Sequence, residues 1–411
     1  MFITSTRRKL SIRIAILHHA LGRFGGAEKT AILHGIYMKK MGFDPELFYD
    51  GPLPSDWKKR AYSNLKMNKL PFGFPPSIST IKNLEKLTQH LKTFDVVLVH
   101  HHIDPFLAYY LTVFLKTNLV WYCGEPLRAL WENKLSGITC KELSSTTRPT
   151  STECYGKSVT GIFLSELLYG PSINLLRVVD KKTAKRYTKI IVNSNYTKGV
   201  IKSLYGLNSQ ISVAYPGIEI GQQTKDCVSY SSRDYILAIG AMIPMKNHIS
   251  LLRAYQQLPA DYKSKVKLVI IGDGPLKKRI KLLAEKMGVK NLVFQSQVNE
   301  QELVSHYKNC KFIVHLALHE PFGLVPIEGA LFGKPSIVSN QGGTKEFIKH
   351  GENGFLVNPS DSNDVANQMK CLIDDERLTA EMGLKAKERA LREFTIEKST
   401  EKIIEALKQL K

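Results

Sequence analysis

No run in this 411-residue sequence approaches the ~18–20 consecutive apolar residues of a spanning helix; the closest, Phe106 to Phe114, ends at Lys116. Cysteine is sparse: Cys123, Cys140, Cys154, Cys227, Cys310 and Cys371 are scattered without a Cys-x-x-Cys or Cys/His ligand spacing. That pattern excludes a disulfide framework and a zinc site and suits a reducing compartment. Acidic residues are short, 37 against 58 basic ones, giving a net charge of +21. Such an excess favours polyanions, whether nucleic acid, anionic membrane or phosphorylated ligands, without choosing among them. Repeats and low-complexity tracts are absent.

What is present is the composition of a globular chain, 43% hydrophobic and 23% charged, with length for about two domains. The start is basic, but the apolar segment Ile12 to Leu17 is short and reads as a first strand, not a signal peptide. A glycine-rich turn holding Gly22, Gly25 and Gly26 then opens a helix near Ala27. Strand, glycine turn and helix in that order begin a parallel α/β sheet. The glycine spacing is not G-x-G-x-x-G, so a dinucleotide fingerprint is weakly supported.

The most informative stretch is H-E-P-F-G-L-V-P-I-E-G-A-L-F-G-K-P-S-I-V-S-N-Q-G-G-T-K-E, His319 to Glu346. The apolar run Phe312 to Leu318 ahead of it reads as a buried strand. Pro321, Gly323 and Pro326 forbid a continuous helix, so a loop must follow. Pro326 suits the first helical position, because the amide it lacks is unpaired there anyway. Glu328 then falls in the first turn, where the backbone dipole favours a carboxylate. The amides of Phe322, Gly323, Leu324 and Val325 would face outward at that helix start, a site for phosphate oxygens. Carboxylates accept hydrogen bonds from hydroxyls and amides bind anions; a ligand needing both carries hydroxyls and phosphates together, as a nucleotide sugar does.

Glutamates eight positions apart in E-P-F-G-L-V-P-I-E, followed by G-K-P and G-G-T-K-E, closely resemble the signature of the retaining group 1 (family four) glycosyltransferases of GT-B fold. The resemblance implies two Rossmann-like domains around a cleft, with a nucleotide-sugar donor and a glycan or lipid-linked acceptor. It implies a metal-independent hexosyl transfer with retention and no cofactor. Glu320 would contact the donor sugar, Glu328 the ribose hydroxyls, and the amides between them the diphosphate. Gly25 and Gly26, in G-G-A-E, would lie against the donor phosphate, and the backbone at Val298, ending the strand from Leu292, against the nucleobase. In G-A-M-I-P-M-K-N-H, Lys246 matches the family lysine beside the phosphates. The family's arginine position holds Ala241, so one of two expected cations is missing.

Strand Phe94 to Val99 ends at His100-His101-His102, where open α/β sheets bind ligands. Neighbours on a strand point to opposite faces, so at most His100 and His102 converge, and no carboxylate cluster completes a metal site. The resemblance instead places His102 beside the transferred sugar. The loop G-E-P-L-R-A-L-W-E after Cys123 resembles a family loop whose arginine, here Arg128, would meet an acceptor phosphate. Residues 53–92 interleave eight Lys and Arg with Trp57, Tyr62, Leu65, Met67, Leu70, Phe72 and Phe74. Exposed aromatics among basic residues suit an anionic membrane surface as a partner, and a solvated loop and helix fits the same composition. That implies a cytoplasmic protein, peripheral on the membrane where this segment docks.

The expected organisation is an acceptor domain over 1–218, a donor domain over 219–394 and a C-terminal helix, 395–411, crossing back onto the first domain. Residues 136–160 read as a mobile connection and 222–233 as a linker. Two other functions fit parts of the sequence. A nucleic-acid-binding protein explains the charge, but no nucleic-acid motif is present and nucleic acid is not an expected partner. A non-transferring GT-B homologue, such as a nucleotide-sugar epimerase, is consistent with Ala241.

Overall fold

The computed structural model describes residues 12–19, 25–50, 53–70, 78–101, 103–127, 130–131, 173–207, 211–221, 234–296 and 298–410. The connection expected at 136–160 and the linker at 222–233 lie outside them, as do Phe72, Phe74, His102 and Arg128.

Two all-parallel sheets organise these residues. The first orders its seven strands β3-β2-β1-β4-β5-β6-β7: β1 Arg13–His19, β2 Asp44–Asp50, β3 Lys66–Lys69, β4 Val96–His100, β5 Asn118–Cys123, β6 Lys189–Val192 and β7 Ile211–Val213. The second orders six as β10-β9-β8-β11-β12-β13: β8 Tyr235–Ile239, β9 Lys267–Ile271, β10 Leu292–Gln295, β11 Phe312–His315, β12 Ser336–Ser339 and β13 Gly354–Val357. The short apolar runs bury both faces, as parallel strands flanked by helices must. In β1, Ala15 and Leu17 enter one core and Ile14 and Ile16 the other. In β11, Phe312 and Val314 face one side and Ile313 the opposite. These are two Rossmann-like domains. Each sheet reverses its strand order once, between β1 and β4 and between β8 and β11, and a crevice opens at the carboxyl ends of such a pair.

Strand ends depart from the sequence reading where polar residues take over. β11 stops at His315, three residues before the expected end, and β10 at Gln295, so Val298 lies in the following loop. The segment 53–92 is corrected more deeply. Trp57, Ala61 and Leu65 are buried in the first domain's core, and Leu70 in the core on the opposite face. Positions 57 and 61 share one face of helix Ser55–Asn64, while Lys58 and Lys59 take the solvent side. The mixture of basic and aromatic residues is there an amphipathic helix, with Tyr62 its exposed aromatic. Among the described residues no helix is long and apolar enough to cross a membrane.

The chain crosses between the domains at two adjacent points. The Ile218 amide donates to Phe394 O (2.9 Å) and the Ile396 amide to Ile218 O (2.9 Å). A Cβ on Gly217 would lie 2.2 Å from Thr395 O, so only glycine fits this crossing. Beyond it, helix Ile396–Lys408 buries Ile396, Ile403, Ile404 and Leu407 in the core shared with Ile14 and Ile16. Its Ser399 Oγ meets His34 Nε2 at 2.8 Å, and His34 Nδ1 meets His100 Nε2 at 2.9 Å. Both rings are fully buried.

Burial pushes His34 down to about 3 and, aided by the neighbouring histidines, holds His100 well below the usual range. The unfolded chain therefore binds more protons below pH ~6.5, and stability must fall as pH drops through that window. Denaturant unfolding from pH 7.5 to 5.0 is expected to lose up to ~1.4 kcal/mol per pH unit per histidine. His34→Gln should show a shallower loss; an unchanged slope would contradict this account.

Candidate active site

The site is assembled at the second domain's strand reversal. After β8 the chain makes a short turn at Pro244–Lys246, with Asn247 in the left-handed region (φ 52°). After β11 the Leu318 amide donates to Met245 O (2.8 Å), locking the two loops side by side. Lys246 and Glu320 are thereby brought together: Lys246 Nζ lies 2.7 Å from Glu320 Oε1 and 2.5 Å from Oε2. The side chains are 17% and 13% exposed, so the pair is screened little by water. His315, at the end of β11, places Nε2 3.8 Å from Glu320 Oε2. Burial alone would raise the Glu320 carboxyl, but the Lys246 charge and His315 overcome it and hold it well below the ordinary range. It is a carboxylate at any pH near neutrality.

The loop after Glu320 has a defined shape. Gly323 takes φ 83°, and Gly342 takes φ 75° with its Cβ position 2.5 Å from Glu320 O. The Gly343 amide donates to Glu320 O (2.7 Å), and a Cβ there would sit 2.0 Å from Pro321 O. The two glycines of G-G-T-K-E are thus the floor on which Glu320-Pro321 rests. Helix Val325–Ala330 follows, with Pro326 at its second rather than first position. The amides of Phe322, Gly323, Leu324 and Val325 have no hydrogen-bond partner among the described residues. The Phe322 ring is buried as their anchor. Glu328 accepts the Tyr307 hydroxyl on Oε2. Tyr307 is driven well above its usual range by burial and by the adjacent Glu328 charge. One carboxylate oxygen is therefore fixed, and Oε1 makes no hydrogen bond among the described residues. Val298 packs against the same core as Leu324 and Val325.

The first domain faces this loop at two places. A Cβ on Gly26 would lie 3.4 Å from Leu324 Cδ1, so the glycine turn packs against the side chain of one residue of the amide row. The Gly25 amide donates to Glu28 Oε2 (2.8 Å), and Glu28 lies 3.7 Å from His18 Nε2. Burial raises the Glu28 carboxyl, but His18 and the helix-start amides outweigh this and lower it. Ser194 Oγ donates to Pro321 O (2.6 Å). Of the residues expected from sequence, Lys246, Glu320, Phe322, Gly323, Leu324, Val325, Gly25 and Gly26 gather here, with Glu328 and Val298 alongside. His100 points into the core, not the crevice, and no group of three or more metal-ligating side chains occurs among the described residues.

His315 and Glu346, like Ser194 and Tyr307, escaped the sequence reading as site residues. His315 sits within an apolar run and looks like a strand residue. Glu346 belongs to the G-G-T-K-E motif but turns to the other domain. It accepts the amides of Asn195 (2.9 Å) and Tyr196 (2.8 Å), the Asn195 side chain (3.1 Å) and the Tyr215 hydroxyl (3.0 Å). The serine and asparagine opening helix Asn195–Tyr205 were the available signal, since a helix start attracts a carboxylate. Burial and the Glu346 charge push Tyr215 up to about 12.

Comparisons with known proteins agree with this geometry. Residues 221–389 match the family model described as glycosyl transferases group 1. An uncharacterized glycosyltransferase of Methanocaldococcus jannaschii is 30% identical over 202 residues, 49% of this chain and 54% of that protein. An alpha-1,3/1,6-mannosyltransferase of Dictyostelium discoideum is 26% identical over 257 residues, 54% of this chain and 61% of that one. The chain thus spans little over half the length of these curated relatives. Among solved structures, Anabaena HepE in complex with UDP and glucose matches with a TM-score of 0.72 at 18% identity, over 97% of this chain and 99% of that one. A glycosyltransferase from Rickettsia africae matches with a TM-score of 0.70 at 18% identity, over 98% and 99%. At these identities the likeness is one of fold, GT-B.

Glu346 carries an interdomain contact of four charge-assisted hydrogen bonds. Glu346→Ala is expected to lower unfolding free energy by roughly 1–3 kcal/mol in denaturant titration. A loss within error of zero would show that the contact is not formed in solution.

Proposed function

We propose, from the match of residues 221–389 to the group 1 glycosyl transferases, that the protein transfers a hexosyl group from a nucleotide-sugar donor. The acceptor is a glycan or a lipid-linked sugar, the product retains the anomeric configuration, and no metal is essential. One observation carries this reading. A buried lysine–carboxylate pair adjoins a row of unpaired amides, and the first domain's glycine turn packs against the side chain of Leu324 in that row. The amides and Lys246 suit a diphosphate, while Glu320 and the open oxygen of Glu328 suit hydroxyls on either side of it. HepE, a protein of the same fold, is also solved in complex with UDP-glucose, which supports the donor class.

The chemistry follows from where charge develops. As the glycosidic bond to the diphosphate breaks, negative charge grows on the leaving oxygens. Lys246 and the amides of residues 322–325 are pre-aimed at that charge, which lowers the barrier without reorganisation. The departing diphosphate takes the acceptor's proton on the same face of the sugar, giving retention. Glu320 and Glu328 hold sugar and ribose in register, an orientational contribution. Glu320, held ionised by Lys246, has no proton to give as a general acid, and the scheme calls on no carboxylate nucleophile. His102 and Arg128 remain proposals for the transferred sugar and the acceptor phosphate. Ala241 leaves Lys246 without the second cation of the family pattern.

Incubation with UDP-, GDP- and ADP-sugars plus acceptor glycans, read by NMR for product anomer, is expected to give retained transfer that survives EDTA. An isomerised donor with no transfer would instead favour an epimerase. Glu328→Ala should weaken nucleotide affinity about tenfold, ~1.4 kcal/mol. Glu320→Ala should lower kcat roughly 100-fold with a smaller change in KM. Wild-type rates in both variants would overturn the site assignment.

A further inference from the structure

His315 is buried (4% exposed), and its Nε2 has no hydrogen-bond partner. Glu320 Oε2 lies 3.8 Å away, beyond hydrogen-bond reach but within one side-chain rotation. In the same arrangement both Glu320 oxygens are taken by Lys246. Lys246 is the only lysine or arginine in the 240–248 turn, so a diphosphate arriving there must engage the cation that Glu320 already occupies. A diphosphate carries more negative charge than one carboxylate and wins that contest. The carboxylate it displaces is 13% exposed and is poorly tolerated without a partner. Gly323 keeps a side chain out of the gap between His315 and Glu320: a Cβ there would stand 3.4 Å from both His315 Nε2 and Glu320 Cγ and 2.8 Å from Thr344 Oγ1, whose hydroxyl borders the same space without a hydrogen-bond partner.

Resting on the nucleotide-sugar reading, we infer that His315 is a positioning residue that takes over the Glu320 carboxylate when the donor's diphosphate takes Lys246. The ring N–H at Nε2 donates to the displaced carboxylate, which then stands turned toward the sugar side of the loop. The histidine thus offsets the loss of the ion pair and sets the orientation in which Glu320 meets a sugar hydroxyl. The titratable groups that interact with His315 are Glu320 and the neighbouring His248, which Lys246 also faces, and the Thr344 hydroxyl borders the same gap. No covalent step is involved.

The test is a double-mutant cycle on the full chain, with UDP, GDP and ADP as probes in calorimetric titration. For whichever diphosphate binds the wild type, His315→Leu should weaken affinity about tenfold, and His315→Gln should recover most of it. Glu320→Gln, which removes the competing charge, should tighten binding. On that background His315→Leu should cost nothing further. Running the cycle in parallel with His315→Asn, too short to reach Glu320, keeps the result independent of one variant's folding. An equal loss on both backgrounds means a packing role and overturns the inference, as does no loss in the single variants. Should none of the three diphosphates bind the wild type, the nucleotide-sugar reading itself fails and takes the inference with it.

Discussion

The ion pair between Lys246 and Glu320 is the constraint from which the site is built. A lone lysine at 17% exposure or a lone glutamate at 13% would each be destabilising in that crevice. Together they hold two loops from different strands in one arrangement, reinforced by the Leu318–Met245 backbone bond. The pair also stands beside a row of amides whose own polarity is uncompensated, so a cation and unpaired donors share one edge of the crevice. Sequence alone made this lysine conspicuous, because Ala241 leaves it without the companion that the family pattern supplies.

The crevice is not the property of one domain. Gly26 meets Leu324, Ser194 meets Pro321, and Glu346 sits in the start of helix Asn195–Tyr205. These contacts set the distance between a glycine turn and an amide row that would both line a diphosphate. On the far side, the C-terminal helix is tied through Ser399 and His34 to His100, at the end of β4. The strand that leads to the unassigned His102 is therefore anchored by the last helix of the chain. That hydrogen-bonded histidine path is neutral near pH 7, which suits a structural tie more than a proton carrier.

Most of the fold was legible because parallel strands buried on both faces read as short apolar runs, and glycine turns mark where they stop. The motif from Glu320 to Glu328 was legible for a different reason: prolines and glycine restrict the backbone so tightly that amides and carboxylates have few places to go. Interdomain partners were not legible. Glu346 and Ser194 are ordinary polar residues whose role exists only once two distant segments meet. Trp57 and Leu65 misled for a related reason, since basic neighbours on the outer face of a short helix made a core residue look like a surface one. His315 was hidden by its apolar flanks, and only its unpaired nitrogen beside a glutamate reveals it.

The central claim is that residues 320–328 and Lys246 grip a pyrophosphate and sugar hydroxyls side by side. A crystal structure with a bound nucleotide sugar tests it most directly. The account predicts phosphate oxygens within hydrogen-bond distance of the Gly323 and Leu324 amides and of Lys246 Nζ, with ribose on Glu328. A nucleotide seated elsewhere, with Lys246 still closed on Glu320, would contradict it.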